Sequence, residues 1–327
     1  MQYGWILLLA LLSVLQLQIL GTSEISQTQT AENRLLGERP LFNASPTLNI
    51  PKNCKCLSQF TDCSSPVFLH APKTGGESIE GMFGLMMNNH MTAVERREEF
   101  HPHGRDFVIG VVRNPYDRAF SWFRYCINGH HSRAEVPQPE TVCYLARQTF
   151  AAVAGSGPVS VEQVQDALLR WLQSDVLLAI VRQPATNNGE YWFSRSMRDY
   201  MANADGSLAV DYMLLFESLG DELRTLMRDC LGHIVEVKHA NKSGGEGENN
   251  SGGEGKARVG ATVELALEKG GKSARISVSG LALLSSLKWF QVFSPQTYHM
   301  VEQIWAADFA YFGYMHATES LKQKKHL

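Results

Sequence analysis

Short apolar runs, each broken by a loop and followed by helical spacing, constrain this chain more than any other feature. The first is Val67–Glu80, VFLHAPKTGGESIE; the second, from Phe107, is FVIGVVRNPYDRAFSWF. Strands that are apolar without polar alternation are buried on both faces, and they belong to parallel sheets with helices over each face. A third run, DYMLLFE (Asp211–Glu217), precedes LGDELRTLMRDCL and repeats the strand-then-helix order. In ESIEGMFGLMM the apolar residues Ile79, Met82, Phe83 and Met86 fall at helical spacing. Behind Pro115 stand Phe120, Phe123 and Ile127, and a proline suits a first helical turn. VEQVQDALLRWLQ (Val161–Gln173) predicts an amphipathic helix. SPQTYHMVEQIWAADFAYFGY predicts another, with Ser294 as its cap, Pro295 just inside, and Val301, Ile304 and Trp305 on one face. The expected class is α/β, with a central parallel sheet flanked by helices.

A strand that ends in a tight loop before a helix aims backbone N–H groups and the helix dipole at one anion. In PKTGGES, Gly75 and Gly76 permit close backbone approach, Thr74 and Ser78 offer hydroxyls, and Lys73 supplies a point charge. The lysine precedes the glycines, whereas the GxxxxGK[ST] loop of nucleotide kinases places it after them, which argues against a kinase. A surface turn with a solvated lysine is the plain alternative. The second loop, RNPYDRAFS, begins forty residues after Lys73, again where a strand passes into a helix. Ligands of parallel sheets sit at the carboxyl ends of strands, so two such loops can hold two ends of one ligand. Arg113 offers bidentate phosphate geometry and Ser121, two helical turns along, reaches the same group. Arg118 either assists or pairs with a carboxylate, and an Arg113–Asp117 ion pair is the structural alternative for Arg113.

The N-terminus bears on compartment. WILLLALLSVLQLQIL (Trp5–Leu20) is apolar apart from Ser13, Gln16 and Gln18, and Gly21, Thr22 and Ser23 after it are small. It is long for a signal-peptide core and slightly short of the roughly 20 residues of a spanning helix. Entry to the secretory pathway follows, as signal-anchor or cleaved peptide over residues 1–21. Six cysteines suit that compartment: Cys54, Cys56 and Cys63 precede the first strand, and Cys126, Cys143 and Cys230 lie within the folded part. Their spacing is poor for zinc, so disulfides are expected, with Cys126–Cys143 as a loop staple. Sequons stand at Asn43, Asn241 and Asn249. Residues 22–64 read as a stem, 65–317 as the domain, and 318–327 as a basic tail. SGGEGENNSGGEGKARVG opens a flexible insertion at about 243–286, of which ARISVSGLALLSSL is the part suited to order. A net charge of −3, with 44% hydrophobic and 19% charged residues over 327 positions, is globular and gives no sign of a nucleic-acid partner.

HAPKTGGESIE together with VVRNPYDRAFSWF resembles the two nucleotide-binding signatures of membrane-associated, Golgi-type carbohydrate sulfotransferases, the heparan sulfate 2-O-sulfotransferase-like group among them. HMTAVERREEF, DGSLAVDYMLLFESLGDELRTL, KHANKS and SPQTYHMVEQIWAADFAYFGY resemble further segments of that family, so the similarity runs from about Val67 to Tyr314, broken by the Gly-rich insertion. The resemblance implies a P-loop-like three-layer fold and 3′-phosphoadenosine 5′-phosphosulfate as sulfuryl donor. Lys73, Thr74, Gly75, Gly76, Glu77 and Ser78 would line its 5′-phosphosulfate, and Arg113 and Ser121 its 3′-phosphate. It further implies a glycan or polysaccharide acceptor, a Golgi membrane location as a single-pass type II protein with a lumenal catalytic domain (secretion being the alternative), and no metal. Two residues depart from the pattern: Glu77, where many relatives carry Thr or another small residue, and Leu215, where an Arg often precedes Phe-Glu.

Sulfuryl transfer needs an in-line arrangement, charge neutralisation and a base for the acceptor's proton. Lys73 is the candidate for the leaving phosphate. His90 is the candidate base, since imidazole titrates near neutrality and related 2-O-sulfotransferases use a histidine in a comparable segment. His101, His103, Glu77 and Glu80 are its rivals. A sulfotransferase fold that binds glycan or nucleotide without transfer is the alternative function, motivated by Glu77 and the insertion.

Overall fold

Three short parallel strands set the frame: β1 (Val67–Leu69), β2 (Val108–Val112) and β3 (Tyr212–Leu215), in that order across the sheet. The computed structural model describes residues 51–52, 67–76, 78–79, 90–100, 107–128, 142–155, 158–182, 195–230, 262–266 and 273–317. Val67 pairs with Val108 and Leu69 with Gly110, while Ile109 pairs with Tyr212 and Val112 with Leu215. The register brings the carboxyl ends of β1 and β2 to one edge, which is where the two loops leave the sheet. Pro51 accepts from the Met213 N–H and Lys52 bridges Tyr212 in the antiparallel sense, extending the sheet beyond β3.

Both sheet faces are covered, as the uninterrupted apolar runs predicted. On one face Phe68, Ile109, Val111, Tyr212 and Leu214 pack with Ile79 and with Leu223, Leu226 and Cys230 of the helix Leu219–Cys230. On the other, Gly110 lies so close to Met201 and Val210 that an added Cβ would meet them at 3.1 Å. The α/β class therefore holds, although helices far outweigh strands.

In chain order the helices are α1 (Ala93–Phe100), α2 (Pro115–Asn128), α3 (Val142–Ala154), α4 (Val161–Leu172), α5 (Asp175–Arg182), α6 (Met197–Met201), α7 (Leu219–Cys230), α8 (Val278–Ser286), α9 (Trp289–Val292), α10 (Pro295–Ile304) and α11 (Ala306–Phe312). A 3₁₀ turn, Phe216–Ser218, follows β3, so the predicted strand ends two residues early. Local chemistry explains several helix starts. Ser160 caps α4 in a reciprocal box with Gln163, Thr92 does the same for α1 with Glu95, and Ser294 caps α10 through the Thr297 N–H with Pro295 at the first position.

A second, helical core is aromatic. Trp171 meets Trp122 at 5.0 Å and Phe123 at 5.3 Å, and its indole N–H donates to the Val142 carbonyl. The Cys126–Cys143 disulfide ties the last turn of α2 to the first of α3, the pairing expected from the sequence. Arg147 adds a hydrogen bond to the Cys126 carbonyl at 2.8 Å. Cys230 is also disulfide-bonded.

The insertion is not irregular throughout. Thr262–Ala266 and Ser273–Ser277 form an antiparallel two-stranded sheet (β4 and β5), and α8 follows directly. Leu284 and Leu287 are buried, so apolar residues in ARISVSGLALLSSL draw this part into the core well before Ser286. The N-terminal apolar run, most of the stem, Cys54, Cys56, Cys63, the three sequons, SGGEGENNSGGEGKARVG and the basic tail lie outside the described residues. Among the described residues no helix is long and apolar enough to cross a membrane.

Candidate functional site

The first loop is held by its own backbone oxygens. The Thr74 hydroxyl donates to the Ala71 carbonyl at 2.7 Å, Arg118 Nε to the Pro72 carbonyl at 3.1 Å, and Arg113 Nη1 to the Lys73 carbonyl at 2.8 Å. Three successive carbonyls are thus hydrogen-bonded, two of them by arginines of the second motif. Lys73 adopts a left-handed backbone with φ +66° and Gly75 another with φ +88°. A left-handed conformation costs a non-glycine residue roughly 1–2 kcal/mol and persists only where its surroundings impose it; here the Arg113 bond does so. Left-handed backbone at alternate positions is also a feature of the concave N–H nests that bind anions. Helical backbone begins at Gly76.

Both glycines are required by packing. A Cβ on Gly75 would lie 2.8 Å from the Phe216 ring, and one on Gly76 would lie 1.9 Å from Nε2 of His70. Thr74 is fully buried with its hydroxyl committed to the loop, so its side chain shapes the loop from within. The Lys73 ammonium rests over the Tyr125 ring, 4.2 Å from its centroid.

Arg113 occupies the corresponding place at the end of β2. Its Nε and Nη2 donate to Asp117 Oδ2 at 2.9 and 2.8 Å, and its guanidinium carbon lies over the Phe216 ring, 3.9 Å from the centroid. The Arg113–Asp117 ion pair weighed from the sequence is therefore formed, and Arg113 also binds the first loop. The Asn114 side chain caps α2 through the Tyr116 N–H, and the Asn114 N–H donates to Glu217 at 2.5 Å. Desolvation pushes the Glu217 carboxyl up from its ordinary value, opposed by the Asn114 N–H bond and by Arg113. Arg118 is buried, donates to the Arg195 carbonyl at 2.8 Å, and faces Asp308 at 3.5 Å. Arg195 in turn pairs with Glu95, the capping residue of α1.

Helix α2 buries nine of its fourteen residues; Asp117, Ser121, Arg124, Tyr125 and Asn128 are the five it leaves half-open. Their spacing of four, three, one and three puts them on one stripe. Since Arg113 holds Asp117 and Lys73 lies on Tyr125, this stripe is the floor between the two loops. The Ser121 hydroxyl makes no hydrogen bond among the described residues, and the Arg124 guanidinium makes neither hydrogen bond nor ion pair, lying 5.7 Å from the Phe120 ring centroid. Burial first, and the Arg113 charge second, lower the Arg124 pKa, with Asp117 opposing. Tyr314, after the end of α11, buries its hydroxyl without a hydrogen-bond partner among the described residues. Burial raises its pKa well above the ordinary value, and Glu217 and Asp308 add to the rise.

His90 is brought back to the first loop. Its Nδ1 lies 3.0 Å from the His70 carbonyl, and its ring meets the His70 ring edge-on at 4.4 Å. A carbonyl only accepts, so Nδ1 carries a proton; in the neutral ring the lone pair is then on Nε2, the tautomer a general base needs. The Thr92–Glu95 capping box anchors the chain two residues farther on. Among the sequence-derived site residues, Lys73, Thr74, Gly75, Gly76, His90 and Arg113 are joined at one sheet edge, while Ser78 lies in the turn after the first loop and Ser121 on the open stripe of α2. Glu77, Glu80, His101 and His103 lie outside the described residues. Sequence reasoning missed Arg124, Tyr125 and Tyr314; the first two were accessible from the spacing to Asp117 and Ser121, whereas Tyr314 carried no local signal. Among the described residues no cluster of His, Cys, Asp or Glu side chains is placed to hold a metal ion. No family model, characterised protein or solved structure matches the chain.

Proposed function

We propose that this chain is a carbohydrate O-sulfotransferase using 3′-phosphoadenosine 5′-phosphosulfate, on a P-loop-like three-layer fold. The observation that carries the reading is the junction of the two loops, made where adjacent parallel strands end by the Arg113 bond to the strained Lys73 carbonyl. One loop presents a lysine and left-handed backbone; the other presents an open serine hydroxyl and the Arg113 guanidinium, with Arg124 one helical turn beyond. The buried Tyr314 hydroxyl and Arg124, both unpaired among the described residues, are groups that an anionic ligand satisfies, so the residues fit a donor with two phosphate-bearing ends.

In this reading the donor supplies an activated sulfuryl group. The loop N–H groups and Lys73 bind its 5′ side, and Lys73 neutralises charge on the departing phosphate as it swings from Tyr125. Arg113 and Ser121 orient the 3′-phosphate end. Nε2 of His90 takes the proton from the acceptor hydroxyl while His70 holds Nδ1–H, fixing the ring. The acceptor is a glycan, and the N-terminal apolar segment places the protein in the Golgi membrane with this domain lumenal.

The test is transfer of radiolabel from the phosphosulfate donor to a panel of glycans by the full chain. Label on an acceptor is expected. Donor binding without transfer to any acceptor would favour a binding protein that has lost catalysis. Lys73→Ala and Arg113→Ala each should lose donor binding, and unchanged binding in both would overturn the site. His90→Ala should abolish turnover and spare donor binding; full activity would eliminate it as base.

A further inference from the structure

The charge balance at the Arg113 end of the α2 stripe is incomplete. Arg113 and Asp117 form a close ion pair, and a pair of opposite charges presents no net charge to a third group. Arg113 also gives one N–H to the Lys73 carbonyl, leaving two of its five without a hydrogen bond among the described residues. A phosphomonoester carries nearly two negative charges at neutral pH, so Arg113 alone does not match it. Lys73 is held on Tyr125, eight positions along α2 from Asp117. Between Asp117 and Asn128, on the open stripe of α2, the single remaining cation is Arg124. It stands one helical turn beyond Ser121 and two beyond Asp117, half-buried, with no hydrogen bond or ion pair among the described residues. An unpaired, partly desolvated guanidinium beside a second guanidinium is unfavourable in the absence of an anion and favourable with one. The same end holds the open Ser121 hydroxyl and the orphaned Tyr314 hydroxyl.

We infer that Arg124 is a ligand-binding residue, the guanidinium that supplies the net positive charge for the 3′-phosphomonoester of an adenine nucleotide held at Arg113 and Ser121. The inference rests on the proposed function and extends it to a residue outside either signature. Arg113 then serves two tasks, holding the first loop and offering its remaining N–H groups, while Arg124 sets the preference for a ribose that carries a phosphate.

Calorimetric titration of the full chain with adenosine 3′,5′-bisphosphate and with adenosine 5′-monophosphate separates the two ideas. The wild type should bind the bisphosphate more tightly. Arg124→Gln should weaken the bisphosphate by roughly tenfold or more, the worth of a charge-assisted contact, and leave the monophosphate within about twofold. Arg124→Lys, which keeps charge but loses the fork, should fall between them. Retained monophosphate binding serves as the control for folding. An unchanged bisphosphate affinity in Arg124→Gln, or an equal loss for both nucleotides, overturns the role of Arg124 and leaves the sulfotransferase reading standing. A wild type that does not distinguish the nucleotides overturns that reading, and the role of Arg124 with it.

Discussion

Replacing Arg118 by methionine tests the network beneath both loops. Arg118 is 3% exposed and its partner Asp308 fully buried, and the guanidinium also holds the Pro72 and Arg195 carbonyls. Methionine keeps much of the volume and removes every donor. Two carbonyls then lack their donor, at about 1–3 kcal/mol each, and Asp308 faces the interior without its countercharge. Burial already pushes Asp308 up to about 6 against the opposing pull of Arg118 and the backbone N–H groups of Arg198 and Met197. Without Arg118 it rises further.

The pH dependence follows from that direction. A carboxyl whose folded pKa lies above its unfolded value favours the fold when protonated, and that contribution is lost as pH climbs from the unfolded value of 3.8 to about 6. Below about 6 Asp308 is protonated in wild type and variant alike. The stability gap there is constant and reflects the two carbonyls. Above it the wild type ionises Asp308 against Arg118 while the variant retains the proton. The gap then widens by up to about 1.4 kcal/mol per pH unit. Urea unfolding of both proteins at about pH 5 and about pH 8 measures it. Adding Asp308→Asn to Arg118→Met should flatten the dependence. A gap that is equal at both pH values, or smaller at the higher one, refutes the coupling.

Tyr116→Phe removes a hydroxyl that donates to Glu302 at 2.6 Å and accepts the Ala317 N–H at 2.8 Å. Urea unfolding should show a loss of about 1–3 kcal/mol, since both groups are buried; no loss would mean that water replaces the phenol. Cys126→Ser with Cys143→Ser opens a loop of 17 residues and should destabilise by about 3 kcal/mol, read as a lower melting temperature. Asp117→Asn frees Arg113 from its carboxylate and should raise affinity for adenosine 3′,5′-bisphosphate severalfold in calorimetry, and a fall would mean that Asp117 is needed to aim Arg113.

What could be read from the sequence was local. The three strands announce themselves because β-branched and aromatic residues run without polar interruption, and burial on both faces demands that. Ser294 and Pro295 mark the start of α10 because capping uses side chains within one turn. The Cys126–Cys143 pairing was legible as a loop staple between two residues 17 positions apart, although the helix that carries Cys143 was not predicted. By contrast, the Arg118–Asp308 contact joins residues 190 positions apart, and no periodicity encodes it. The ordered end of the insertion was legible in ARISVSGLALLSSL, whereas the strand Thr262–Ala266 that pairs with it was not singled out. The left-handed turn at Lys73 was also invisible, because a lysine does not by itself signal positive φ; the conformation is imposed from forty residues away.

That dependence changes what a substitution in the second loop reports. Arg113→Ala removes a phosphate donor and also releases the Lys73 carbonyl, so the first loop loses the restraint that keeps its left-handed turn. Loss of donor binding in that variant mixes a missing contact with a relaxed loop. Ser121→Ala and Arg124→Gln break no hydrogen bond or ion pair among the described residues, so the first loop keeps its shape in both. A selective fall in bisphosphate affinity in those variants therefore reports contact with the ligand itself. If Ser121→Ala and Arg124→Gln leave the bisphosphate untouched while Arg113→Ala abolishes it, the second motif acts as a brace for the first, and the 3′-phosphate is held elsewhere.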